Sequence, residues 1–132
     1  MIKIIYCIAR KPELTREEFQ KYWVEMHGAA VWERAQKIGM RGFVQCRTVD
    51  SALGTACADT RGTDGDYDGV MHGWWDSDEA AVAAFTSEAG TETMNYLFAD
   101  EATFMDFSRS RIFTVEETIW GLPDNSVLNN SE

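Results

Sequence analysis

The sequence predicts an α+β fold in which four strands form one antiparallel sheet and the helices cover one of its faces. The first observation is the order of hydrophobic periodicities, β-α-β-β-α-β, which two split βαβ units with right-handed crossovers produce. The second is size and composition, because 132 residues with 45% hydrophobic and 26% charged side chains suit one globular domain. We therefore assign residues 1–120 to one domain and residues 121–132 to a polar C-terminal tail.

The first half of the chain contains the clearest helix signal. Residues 2–9 predict a strand with apolar side chains on both faces, and Pro12 ends it because proline cannot donate to a ladder. Thr15 and Glu18 have the spacing of a capping box. Apolar residues then recur every three or four positions, which predicts an amphipathic helix that stops at Gly39. The recurring residues are Phe19, Tyr22, Trp23, Met26 and Ala30.

The second half contributes three strands, two helical segments and a long loop. Asp76 and Glu79 have capping-box spacing before the first helical segment, and Gly90 predicts a break before the second. Residues 49–68 contain Ser, Thr, Asp and Gly without periodicity and predict a loop of a length usual for functional segments. The predicted strands are 40–48, 70–75 and 110–118, and the predicted helical segments are 80–85 and 91–104.

The sheet face that the helices leave uncovered predicts a homodimer. The strands are apolar on both sides, and Trp74 and Trp75 send one indole to each face. A large apolar sheet face is not left in water, and a second copy of the chain is its simplest cover.

Charge and composition exclude several classes of partner. The net charge is −10, and residues 51–108 carry one basic side chain against twelve acidic ones, so we expect no nucleic-acid partner. No apolar run approaches the roughly 18 residues of a membrane span, and no cleavage site follows the N-terminal strand, so we expect neither a membrane segment nor a secretory signal. Three cysteines without ligand spacing fit a reduced cytoplasmic protein.

The sequence does not contain the common metal-binding and nucleotide-binding motifs. Residues 64–69 copy the first half of a calcium loop, but Trp75 stands where a bidentate glutamate is needed. Gly-rich phosphate loops, nucleophile elbows and paired metal-binding histidines do not occur. We therefore expect no metal and no cofactor.

His27 is the first candidate for chemistry. On a helical wheel that starts at Phe19 and advances about 100° per residue, Trp23 falls at about 40°. His27 falls at about 80°, at the margin of the apolar stripe. An imidazole there points into the seam between helix and sheet, where partial burial favours the neutral base. The alternative from spacing alone is a histidine that packs its ring and donates a hydrogen bond to a carbonyl.

Aromatic side chains are the second candidate feature. Five Trp, seven Phe and four Tyr in a small domain could wall a cavity for a flat, apolar ligand. The alternative is a core built of large residues. The candidates for the wall are Phe19, Trp23, Val31, Trp74 and, on the same strand face as Trp74, His72.

One motif and several shorter segments carry a family resemblance. Residues Leu14 to His27 have the pattern Leu-Thr/Ser-x-x-Glu-Phe-x-x-Tyr-Trp-x-x-x-His. With the other segments it covers residues 2–118 and resembles the EthD family of the dimeric α+β-barrel (ferredoxin-like) superfamily. The other segments are Arg10 to Glu13, Tyr67 to Gly69, Asp100 to Ala102 with Phe104 and Asp106, Ser110-Arg111, and Val115 to Glu117.

The resemblance implies a ferredoxin-like monomer and a dimer in which two sheets pack together. Family members look like cofactor-free enzymes acting on lactones, anthrones and polyketide-like aromatics. The similar methylmuconolactone isomerases carry a histidine at the position of His27, near the ligand pocket. The chain departs from the family in residues 49–68 and at Gly28, where proline or alanine is commoner, so the substrate does not transfer.

We therefore expect a cytoplasmic homodimer that rearranges a small, largely apolar ring compound without a cofactor, as an isomerase, cyclase or lyase. His27 is the expected general acid or base. Tyr22 and Tyr6 are expected hydroxyl donors to a developing enolate, and Arg111 is the expected anchor for a substrate carboxylate. The alternatives are a cofactor-free or heme-linked monooxygenase of the same architecture and an accessory ligand-binding protein without activity.

Overall fold

The computed structural model describes residues 1–122, and its centre is a four-stranded antiparallel sheet in the order β2-β3-β1-β4. Helices cover one face of the sheet, so the predicted α+β architecture is confirmed. Residues 123–132 of the predicted tail lie outside the described residues. The strands are β1 (Ile2–Ile8), β2 (Gly42–Arg47), β3 (Gly69–Trp75) and β4 (Arg111–Val115). The helices are α1 (Arg16–Tyr22), α2 (Ala29–Glu33), α3 (Ala52–Arg61), α4 (Asp78–Thr86) and α5 (Glu88–Glu101).

The predicted helix before Gly39 is built from several helical segments. Its capping box forms, since Thr15 Oγ1 accepts from the Glu18 amide at 3.1 Å and Glu18 Oε1 accepts from the Thr15 amide at 2.9 Å. A π-helical turn, Trp23–Gly28, then separates α1 from α2. A 3₁₀ turn leads to Gly39, which ends the segment with a φ of 70°.

The loop predicted for residues 49–68 is wrong over ten of its residues, which form α3. Ser51 caps this helix by accepting from the Gly54 amide at 3.0 Å, and Gly62 ends it with a φ of 63°. None of its residues is buried. A helix without a buried face has no apolar stripe, so periodicity could not reveal it.

The second crossover begins earlier than predicted. Ser77, and not Asp76, caps α4, with its hydroxyl accepting from the Ala80 amide at 3.0 Å. The break between the two helices lies at Ser87, which caps α5 in turn. Gly90 lies inside the first turn of α5, where a Cβ would approach the Ala84 carbonyl oxygen to 1.8 Å. That glycine therefore permits the close approach of α4 and α5 and does not mark the break.

The core between helices and sheet consists of two clusters. One is formed around β1, α1 and the π turn, and the other around α2, β3 and α5. The first cluster contains Tyr6, Ile8, Phe19, Trp23, Phe104 and Met105, and the second contains Val31, Ala35, Ile38, Met40, Trp75 and Leu97.

Within residues 1–122, no helix combines the length and the apolarity that crossing a bilayer requires.

A buried carboxylate ties the first cluster to the strand ends. Asp68 is 3% exposed and accepts from the Arg10 amide at 2.8 Å and from the Arg10 and Arg16 guanidinium groups at 3.0 Å each. The next residue, Gly69, packs directly against Trp23, because a Cβ on Gly69 would lie 2.4 Å from the indole ring. The start of β3 is thus held against α1 and the π turn.

We predict that Gly69→Ala destabilises the protein by about 1–3 kcal/mol, because the fully buried Trp23 ring must move to admit the methyl group. Gly28→Ala is the matched control. Its Cβ would meet only the carboxamide end of Gln45, at 2.5 Å, and alanine favours a helix, so we expect a change below about 1 kcal/mol. Urea denaturation of both variants measures the difference, and equal losses would contradict the argument.

Candidate active site

A cavity of about 410 Å³ lies between the helices and the sheet, and both core clusters contribute to its wall. Its size is in the range of small-molecule sites. Most of the wall is aliphatic or aromatic, with Trp23 and Val31 among the sequence-predicted residues. The lining residues with polar side chains are Tyr6, His27, Glu101, Ser110 and Arg111.

His27 is 4% exposed and lines the cavity. The regular α-helical wheel places it at the edge of the apolar stripe, but it lies in the π turn. A π turn contains more residues than an α turn, so the four steps from Trp23 bring His27 back towards the centre of the stripe. The imidazole packs edge-on against Phe104, with 5.2 Å between ring centroids.

Asp100 orients the imidazole. Its Oδ2 lies 2.8 Å from His27 Nδ1, and its Oδ1 accepts from the Tyr22 hydroxyl at 2.5 Å. An ionised carboxylate only accepts hydrogen bonds, so this contact selects the tautomer with a proton on Nδ1 and leaves Nε2 unprotonated. Burial lowers the pKa of His27, and the hydrogen bond and charge of Asp100 oppose that effect without reversing it. The imidazole is therefore a neutral base near pH 7.

Glu101 is the second titratable group in the cavity. Burial raises its pKa from 4.5 to about 7, assisted by the charge of Asp100 and opposed by the hydrogen bond that the Tyr6 hydroxyl donates at 3.0 Å. Glu101 Oε2 lies 3.7 Å from His27 Nε2, which is too far for a hydrogen bond. Both groups therefore present a free polar atom to the same end of the cavity.

This arrangement can move protons between two positions of one ligand. A neutral imidazole accepts a proton, and a carboxylic acid with a pKa near neutrality donates one. The Tyr6 hydroxyl donates a hydrogen bond to Glu101 and the Tyr22 hydroxyl donates one to Asp100. Burial and the Glu101 carboxyl raise the pKa of the Tyr6 phenol.

Among residues 1–122, no group of three or more His, Cys, Asp or Glu side chains is placed to hold a metal ion.

Two helix residues expected at the site lie behind it. Phe19 is fully buried and stacks on Trp23 with 5.6 Å between centroids, so it supports the cavity wall without being part of it. Tyr22 does not line the cavity and acts only through Asp100. The expectations that Phe19 contacts ligand and that Tyr22 donates to it are therefore corrected, because both side chains lie behind other residues of the site.

His72 and Trp74 lie on the opposite face of the sheet, so their assignment to the cavity is wrong. Strand alternation places Trp75 on the helix side and Trp74 on the other side, which we call the outer face. There the Lys3 ammonium lies 3.1 Å from His72 Nδ1 and 4.4 Å from the Trp74 ring centre. Trp74 Nε1 donates to Glu117 at 2.8 Å.

Arg111 borders the cavity at the start of β4. It pairs with Cys7, whose side chain belongs to the outer face. Arg111 is exposed, and its guanidinium donates to the Ser110 carbonyl at 2.9 Å. The expectation of a carboxylate anchor at this position is not supported by the geometry.

Asp100 and Glu101 are site residues that the sequence alone did not reveal. Both occupy the last turn of α5, which contains no basic residue. Carboxylates are unfavourable at a helix C-terminus because the dipole there is negative. Two adjacent acidic residues at the end of a predicted helix were therefore a signal in the sequence.

We predict that Glu101→Gln stabilises the protein in a pH-dependent manner. The pKa of Glu101 is raised on folding, so its contribution to stability is complete below about pH 4 and is lost as the pH rises through about 7. Removing the group should raise the free energy of unfolding by less than about 1 kcal/mol at pH 5 and by about 3 kcal/mol at pH 8. Urea denaturation at both pH values tests this, with the exposed Glu92→Gln on the same helix as control. The same gain at pH 5 and pH 8 would contradict the burial effect.

Comparison with known proteins agrees with this architecture. A structure of an EthD family protein from Bacillus halodurans is 18% identical, with a TM-score of 0.58 over 89% of this chain and 99% of that one. A dimeric ferredoxin-like protein of unknown function from Bacteroides fragilis is 10% identical, with a TM-score of 0.56 over 88% and 95%. SnoaB, a cofactor-independent oxygenase from Streptomyces nogalater, is 13% identical, with a TM-score of 0.52 over 93% and 97%.

At these identities the structures show a shared fold alone. Comparison with curated proteins finds no match. The family model of the EthD domain, however, matches residues 11–108, which is most of the chain and includes the π turn and both carboxyl groups of the site. This protein belongs to the EthD family.

Proposed function

We propose that this protein is a cofactor-independent enzyme that rearranges a small ring compound by acid–base catalysis. The observation that carries the proposal is the juxtaposition of a neutral imidazole and a carboxyl group of near-neutral pKa at one end of an apolar cavity. A structural histidine would need only the contact with Asp100. It would not need a free Nε2 directed at a ligand-sized space beside a second titratable group.

The proposed reaction begins with the transfer of a proton from a carbon next to a carbonyl to Nε2 of His27. Glu101 in its acid form then returns a proton to the resulting enolate at another position of the same ring. Asp100 stabilises the imidazolium formed in between, as a carboxylate does beside any catalytic histidine. One proton is removed from the ring and one is returned to it, which is an isomerisation. Transfer of a proton from the His27 imidazolium to the Glu101 carboxylate, 3.7 Å away, restores the resting forms of both groups. The same first step serves a cyclase or a lyase.

We predict that His27→Gln lowers deuterium exchange into substrate carbon by at least tenfold, because a positioned base contributes on the order of 10²–10⁴-fold. Proton NMR in D₂O measures exchange at the carbon next to the carbonyl in a panel of unsaturated lactones, cyclic enones and anthrones. In the native protein the rate should rise with pH through the lowered pKa of His27 and fall through about pH 7 as Glu101 ionises. Glu101→Gln should remove the falling limb.

The other histidine supplies the matched control, since His72→Gln alters the outer face and should leave exchange unchanged. Oxygen uptake, measured with an oxygen electrode on the same compounds, distinguishes an isomerase from the oxygenase alternative, because an isomerase consumes no oxygen. Exchange that is equal in the native protein and His27→Gln would contradict the proposed base. Ligand binding without exchange would favour the accessory role.

The proposal includes a homodimer formed through the outer face of the sheet. Val44 and Phe113 expose 45% and 49% of their surface on this face. An apolar sheet face of this kind is usually covered, and the Bacteroides fragilis neighbour is dimeric. Three free thiols, Cys7, Cys46 and Cys57, fit a reducing compartment, so we place the dimer in the cytoplasm.

We predict that Val44→Asp converts the dimer to a monomer, because a carboxylate at this position would have to lose its hydration when the two sheets pack together. Light scattering during size-exclusion chromatography measures the mass. Val82→Asp is the control, since Val82 is 54% exposed but lies on α4, away from the outer face. A native protein of monomer mass, or a dimer that survives Val44→Asp, would contradict this interface.

A further inference from the structure

Tyr6, His27 and Glu101 lie together at one end of the cavity, which we call the inner end, and their charge there is negative or zero. Tyr6 and His27 are neutral donors and acceptors, and Glu101 is the group that can carry a charge. Asp100 lies directly behind the imidazole and adds a second carboxyl group. A ligand that reaches the acid–base pair therefore meets carboxyl oxygens and no cation.

The other polar residues of the cavity wall do not add a positive charge at the inner end. Ser110 Oγ accepts from the Ala9 amide at 3.0 Å and donates to the Asp106 carbonyl at 2.7 Å, so its hydrogen-bonding capacity is used by the backbone. Arg111 belongs by register to the outer face, and within the described residues its guanidinium forms no ion pair with Glu101 or Asp100. Among the described residues that line the cavity, Arg111 is the one cationic side chain. Among the described residues, an anionic ligand beside Glu101 thus has no cationic partner there.

The outer end of the cavity is aromatic. Phe98 and Phe107 stack with 5.2 Å between centroids and 13° between planes, and both line the cavity. Phe98 is 60% exposed and Phe107 is 39% exposed, so the pair lies at the mouth. Stacked, accessible rings favour a flat ligand that passes or rests against them.

We propose that the ligand of this cavity is an uncharged, flat ring compound that carries its carbonyl or hydroxyl group at the inner end, and that carboxylate-bearing compounds are excluded. This inference rests on the proposed function, because it names the substrate class of the same site. Exclusion follows from Coulomb repulsion by ionised carboxyl groups, in the case of Glu101 above its pKa of about 7, and this repulsion is stronger in a medium of low dielectric constant than in water. The preference for uncharged over anionic ligands then depends on Glu101, which faces the ligand directly.

Two fluorescent probes test the exclusion without any turnover. N-phenyl-1-naphthylamine is uncharged, and 8-anilinonaphthalene-1-sulfonate has the same ring framework with one negative charge. At pH 8 in 0.5 M NaCl, which screens the acidic surface, we expect the uncharged probe to bind at least tenfold more tightly. Val31→Trp and Met71→Trp, which fill the cavity from α2 and β3, should each abolish that binding, with thermal melting confirming that at least one is folded.

Glu101→Gln should reduce the ratio of the two probes' affinities at least threefold, because it removes the charge that faces the ligand. Glu92→Gln removes the same charge from an exposed position on α5 outside the cavity and should leave this affinity ratio unchanged. Equal affinities for the two probes, an equal effect of both variants, or no binding of the uncharged probe would each overturn the inference. Exchange activity on an anionic ring compound would overturn it too, while leaving the proposed acid–base function intact.

Discussion

The structure depends on keeping a chain of polar groups satisfied inside a hydrocarbon environment. Tyr22, Asp100 and His27 are joined by hydrogen bonds, and Glu101 with Tyr6 continues the series across a 3.7 Å gap from the imidazole. A buried polar atom without a partner costs about 1–3 kcal/mol, so each member constrains the next. Within residues 1–122, every buried side-chain nitrogen and oxygen has a hydrogen-bond partner. His27 Nε2 and Glu101 Oε2, 3.7 Å apart, both lie on residues that line the cavity, where a ligand can reach them.

Three elements meet to build this series, and two of them, the π turn and the end of α5, depart from regular helical rules. The π turn brings His27 inwards, and π turns are frequent at functional sites. The end of α5 places Asp100 and Glu101 where the helix dipole disfavours carboxylates. β1 supplies Tyr6 from a strand position that is buried on the helix side. Local rules are broken together at the acid–base pair, which is the pattern expected of a site kept for chemistry and not for stability.

The two faces of the sheet have separate roles because side chains alternate along a strand. Trp75 is 2% exposed on the cavity side, where its indole donates to the Ile38 carbonyl at 2.7 Å. Trp74, one residue earlier, interacts with Lys3 and Glu117 on the outer face. The ligand site and the proposed dimer surface are thus separated by a single layer of backbone. Changes at one face can be made without entering the other, as the paired variants of His27 and His72 exploit.

The sequence by itself predicted a four-stranded antiparallel sheet, the capping box at Thr15, the stop at Gly39 and the candidacy of His27, because these follow from periodicity and local hydrogen bonding. It did not reveal α3, which has no buried face, or the strand face that meets the helices, since alternation separates the faces without naming them. Only the tertiary structure brought Asp100 and Glu101 to His27 across more than seventy residues of chain. Local sequence rules do not act at that separation. The burial that changes the pKa values of His27 and Glu101 exists only once helices and sheet have packed together.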